Sequence, residues 1–138
     1  MGIAKSQFNN ILSDIFKSGN KIELFSTMPN ASTESGAVKI SGSGYESYII
    51  KSGDFSISSG SVQSIENMMF YLCENTAGHG VAKGFGVYNS SNELLYFGEF
   101  KNPMTIAYNT IPTIKKFNGS GEGIKITMTS TEAAVAVE

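Results

Sequence analysis

At 138 residues, with 41% hydrophobic and only 16% charged, the chain suits one domain whose polar surface falls to Ser, Asn, Thr and Gly. A net charge of −2, ten scattered Lys and no Arg argue against a nucleic-acid partner, because phosphate and guanine recognition draws on basic patches and bidentate Arg. A single Cys allows no internal disulfide, and no apolar run is long enough to cross a bilayer as a helix.

The N-terminus lacks the apolar core of a signal peptide, which argues against secretion by that route. Three parts are expected within one domain: a helix over 1–19, a β-sandwich over 20–128 and a tail over 129–138. Residues 6–17 carry the helix, with Phe8, Ile11, Leu12, Ile15 and Phe16 at i, i+3, i+4, i+7, i+8 spacing. Ser6 is the expected N-cap, and Ser18-Gly19 ends the run. Such an apolar stripe packs either on the chain's own sheet or on a neighbouring subunit.

Residues 21–27 alternate as a strand, turned by Met28-Pro29-Asn30 into a polar loop over 30–36. Short extended runs follow at 38–40, 45–51, 55–57 and 62–65, and 68–73 is apolar on both faces, as a strand between two layers would be. Residues 74–80 form a loop. The clearest hairpin of the chain spans 83–100, turning at Asn89-Ser90-Ser91-Asn92. Asn102-Pro103 is expected to break the chain, Pro112 to mark an edge strand, and 124–128 to be the last core strand. In the tail, 133–137 could pair as an added strand. Eight to ten short strands with frequent turns predict a mainly β fold, an antiparallel sandwich or jelly-roll-like domain with one N-terminal amphipathic helix.

Chemistry is sparse. His79, between two glycines, is expected to be exposed and mobile, and one His cannot anchor a typical zinc site. Cys73 reads as a small buried hydrophobe, and a Cys73–His79 nucleophile pair has no evident third partner. The glycine-rich stretches lack phosphate-loop spacing, and Glu93 with Glu99 is an ordinary pair of strand carboxylates. Sequons at Asn30, Asn89 and Asn118 are what a Ser- and Asn-rich chain yields by chance. Tyr45, Tyr48, Tyr88, Tyr96 and Tyr108 read as core and edge packing ahead of a sugar-stacking face. No catalytic residue, metal ligand or cofactor is expected.

The order of motifs is informative where single motifs are not. An amphipathic helix is followed by Leu24-Phe25-Ser26-Thr27-Met28-Pro29-Asn30, then Ser41-Gly42-Ser43-Gly44-Tyr45 and Met69-Phe70. The hairpin Gly84-Phe85-Gly86-Val87-Tyr88 to Leu94-Leu95-Tyr96-Phe97-Gly98 comes next, and Gly123-Ile124-Lys125-Ile126-Thr127 closes the series. Over residues 6–128 this resembles a family of short tailed-bacteriophage virion proteins labelled tail fibre proteins, which read L-F-T-T-x-P-N, S-G-G-G-Y, F-G-L-F-D and L-L-F-Y-G. The chain departs from that pattern at Glu46-Ser47, where the family has Ala-Arg, and at Asn89, where it has Asp.

The resemblance implies a non-enzymatic virion component made in the host cytoplasm. A chain this short suits the small β-sandwich proteins that cement capsids, usually as trimers on the shell. The expected partners are the major capsid protein, other virion proteins and further copies of itself, with no nucleic acid and no membrane. The candidate subunit interface comprises Phe8, Ile11, Leu12, Ile15, Phe16, Val135 and Val137. Two other readings compete with capsid decoration: a tail or baseplate adhesion component using loops 30–36 and 74–80, and a small carbohydrate-binding module.

Overall fold

A computed structural model describes residues 3–128. A 3-10 turn, Lys5–Gln7, leads into the helix α1, Phe8–Ile15. The expected Ser6 cap is not used: no side chain bonds the start of the helix, and the Gln7 N–H closes the turn onto the Ala4 carbonyl. At the other end Asn20, itself buried, donates its side-chain amide to the Asp14 and Ile15 carbonyls at 3.1 and 2.9 Å. Those are carbonyls that a helix end leaves open.

Among the described residues ten strands follow: β1 Lys21–Thr27, β2 Val38–Lys39, β3 Tyr48–Ile49, β4 Phe55–Ser58, β5 Ser61–Ser64, β6 Met68–Met69, β7 Gly80–Tyr88, β8 Leu94–Ile106, β9 Thr113–Ile114 and β10 Lys125–Thr127. The fold is mainly β, with every pairing antiparallel and one short N-terminal helix, as expected. The main sheet has the order β2-β1-β7-β8, with β3 also pairing β1; a second has the order β10-β5-β4, and a third joins β6 to β9. The β4–β5 turn uses Ser59 and Gly60, both at positive φ, as a two-residue hairpin turn requires.

Register explains the layers. Ile22 and Leu24 of β1 face Val87 and Phe85 of β7, and Tyr96 of β8 joins them on the same face. Phe16, just past α1, packs on Phe55 of β4 and on Tyr96, with ring centroids 4.8 and 6.0 Å apart. The helix and the two small sheets thus lie over the main sheet, and Leu12, Val62, Met68, Ile114 and Ile124 complete one core. On the opposite face Phe25 lies over Gly86, where a Cβ would sit 2.5 Å from the Phe25 ring. Only glycine leaves room there, which accounts for the Gly-Phe-Gly alternation of the hairpin.

Several expectations need correcting. Of the two readings of the helical stripe, packing on the chain's own core accounts for Phe8, Leu12 and Phe16, which are buried, while Ile11 and Ile15 are half-buried. Residues 45–51 form only the two-residue β3. Residues 68–73 form only β6, and Met69 and Leu72 point to solvent. Asn102-Pro103 does not end the hairpin. Residues 100–103 bulge opposite Lys83 and pairing resumes at Ala82 and Met104. Pro103, which lacks an N–H, is tolerated because it sits in that bulge.

Candidate interaction surface

The reactive side chains lie inside. His79 is 8% exposed, against the expectation of a mobile loop residue. Its loop is closed by hydrogen bonds from Gly78 N–H to the Asn75 carbonyl and from His79 N–H to the Ile106 carbonyl. Its Nδ1 shares a 2.6 Å hydrogen bond with the Tyr71 hydroxyl and lies 3.8 Å from the Cys73 Sγ. Its Nε2 is buried with no hydrogen-bond partner among the described residues. Cys73 is fully buried. Burial, with the nearby Cys73, pushes the Tyr71 hydroxyl up to about 12. Among the described residues no three of His, Cys, Asp and Glu converge as metal ligands would.

A second buried network ties the Gly-rich segment to β1. Tyr45 donates to Glu23 Oε1 at 2.9 Å and accepts from the Leu24 N–H at 3.2 Å. Burial, above all, raises the Tyr45 pKa, and the Glu23 carboxylate adds to it. Tyr48 donates to Asp54 Oδ2, which also accepts from the Lys51 N–H, both at 2.8 Å. Of the five tyrosines weighed as a sugar platform, Tyr108 alone is exposed; the others are buried or half-buried in packing. The sequon asparagines have local work: the Oδ1 atoms of Asn30, Asn89 and Asn118 accept N–H groups of their own turns. That is the turn role expected of Asn.

Two surface features remain. Segments 68–73 and 109–114 form a ladder, through β6–β9 and through hydrogen bonds from Cys73 N–H to the Thr110 carbonyl and from Asn109 N–H to the Cys73 carbonyl. Met69, Leu72 and Ile111 on this ladder, and Tyr108 beside it, are each more than 40% exposed. Val38 and Ile49, on β2 and β3, are exposed to a similar degree. The sequence pattern had placed 68–73 between layers, because a run of apolar residues does not say which of them face water.

The other feature is an open groove of about 650 Å³ between β8 and the 113–126 segment. Its lining is apolar at Phe85, Tyr96, Phe100, Met104, Ile114 and Ile126, with Glu99, Lys101, Lys115, Glu122 and Lys125 also contributing. Lys115 pairs with Glu122 at 2.8 Å and holds that carboxyl below its ordinary pKa. Asn102 on the bulge reaches across to the Gly121 carbonyl at 3.3 Å. Val135 and Val137 lie outside the described residues. No family model, curated protein or solved structure matches this chain.

Proposed function

We propose that the protein is a structural component of a bacteriophage particle, and within it a capsid decoration protein that binds the shell at subunit junctions. The observation that carries the reading is the contrast between buried reactive side chains and large apolar side chains left exposed on the 68–73 and 109–114 segments and beside them. Cys73 and His79 are buried, whereas Met69, Leu72, Tyr108 and Ile111 offer large apolar side chains to solvent. A surface of that kind gains free energy from contact alone, at roughly 25 cal/mol per Å² of apolar area removed from water. Many copies sharing such contacts would raise the barrier to opening a shell. The ordered motifs from the helix to Ile124-Lys125-Ile126 support the particle assignment by resemblance.

The test is the protein's location and abundance in purified particles. Quantitative mass spectrometry should find it in hundreds of copies, and electron microscopy should place it on the shell. A few copies at the tail would favour the adhesion reading, and absence from particles would end both. Replacing Met69 and Leu72 together by Lys should abolish particle binding while leaving the isolated protein folded.

A further inference from the structure

We propose that Asn118-Gly119 is a self-modifying site, where the Gly119 backbone nitrogen attacks the Asn118 side-chain amide and converts it to aspartate and isoaspartate. The site is independent of the particle reading. It stands out because the fold uses one turn twice. Asn89-Ser90-Ser91-Asn92-Glu93 and Asn118-Gly119-Ser120-Gly121-Glu122 share the pattern Asn-x-Ser-x-Glu. Each Asn Oδ1 accepts the N–H groups two and four residues on, at 2.9 and 3.0 Å for Asn89 and 2.8 and 3.4 Å for Asn118. Each Asn Nδ2 donates to the closing Glu Oε1, at 3.0 Å in the first turn and 2.7 Å in the second. Each Asn N–H also bonds the closing Glu carbonyl. The residue after Asn is Ser90 in one turn and Gly119 in the other.

That residue supplies the nucleophile. Its nitrogen bonds Asn118 Cγ and gives up its proton, the Cγ–Nδ2 bond breaks, and ammonia leaves with that proton, closing a succinimide ring. Water then opens the ring at Cγ to give aspartate, or at the main-chain carbonyl to give isoaspartate. The net change is one amide NH2 exchanged for OH. Negative charge gathers on Oδ1 during the attack, where the Ser120 and Glu122 N–H groups already point. Glycine puts no side chain beside the attacking nitrogen and leaves its backbone free to turn. Gly119 is exposed, with open space where a Cβ would stand. Ser90, in the matching turn, carries a side chain at that place.

The product undoes the turn. A carboxylate at 118 has no N–H for Glu122, so two like charges meet where an amide donated at 2.7 Å. Isoaspartate also lengthens the main chain by one carbon. The Gly121 carbonyl that holds Asn102 of the bulge lies in this turn, and Gly119, Gly121 and Glu122 line the groove. One wall of the groove therefore loosens as the protein ages.

Incubating the full chain at mildly alkaline pH in water labelled with heavy oxygen, followed by tryptic digestion, tests the site. Peptide 117–125 should gain the amide-to-acid mass change with the label, in aspartyl and isoaspartyl forms, while peptide 84–101 lags several-fold behind. Ser90→Gly should bring conversion at Asn89 toward the rate at Asn118. Hydrogen exchange over 119–123 should quicken in the converted fraction, and unchanged exchange there would overturn the loosening. Equal rates at the two turns in the unsubstituted chain, or no isoaspartate at 118, would overturn the site. So would conversion far slower in the folded chain than in the same chain unfolded by urea, because the turn would then shield the bond.

Discussion

Tyr45 and Glu23, 22 residues apart, are joined by a 2.9 Å hydrogen bond that ties a Gly-rich segment to the central strand β1. Glu23 is 7% exposed, and its two Lys neighbours stand off at 3.9 and 3.7 Å. The hydroxyl of Tyr45 is therefore its close donor, and it also accepts the Leu24 N–H. This gives a physical role to the tyrosine in Ser41-Gly42-Ser43-Gly44-Tyr45.

Tyr45→Phe keeps the ring and removes the hydroxyl, leaving a buried carboxylate oxygen and a backbone N–H without that partner. The expected loss is about 1–3 kcal/mol in denaturant midpoint experiments, with the fold retained. A loss near zero would mean that water replaces the hydroxyl, and that the bond does not hold the segment.

His79 is buried because Gly42 leaves room for it. A Cβ on Gly42 would stand 2.8 Å from His79 Cδ2 and Nε2, and its φ of +136° is one that a side chain resists. Gly42→Ala should destabilise by about 1–3 kcal/mol through overpacking and backbone strain. Its His79 ring resonances should shift in NMR spectra. Cys73→Ala should cost less, since it removes a single sulfur from a closed core and leaves the Tyr71–His79 bond in place.

The layers were legible in the sequence where periodicity is strong. The hairpin from Gly84 to Gly98 and the stripe Phe8–Leu12–Phe16 follow from alternation and helical spacing, and both packed as those patterns require. What stayed hidden depends on contacts between distant residues. The flanking glycines of His79 signalled a loop correctly, yet its burial comes from Tyr71 and Gly42. Nothing local to Asn20 marks it as the residue whose side chain caps α1. The groove leaves little local trace, because its walls are residues 96–104 and 113–126 brought together by the fold.

Alkaline pH should unfold the protein through its tyrosines. Burial raises the pKa values of Tyr45, Tyr48, Tyr71 and Tyr88 above the ordinary 10.0, with Tyr71 at about 12. Each holds its proton more tightly when folded, so its contribution is complete below pH 10 and is lost as pH rises through the folded value. Tyrosinate absorbance from these residues should appear together with loss of the circular dichroism signal. Full ionisation with an unchanged spectrum would show that the hydroxyls are not sealed.

The helix offers the sharpest separation between stability and assembly. Leu12 is 2% exposed at the centre of the stripe, with Phe8 and Phe16 buried on either side of it. Leu12→Ala removes buried volume from the chain's own core and should cost about 2–5 kcal/mol. Below the lowered melting temperature, particle binding and self-association should be unchanged, because the residue belongs to the chain's own buried core. Thermal melts and sedimentation on the same sample check both halves. Normal stability with lost assembly would return the helix to a neighbouring subunit, and the packing of α1 against β4 and β5 would then have to be an arrangement that assembly replaces.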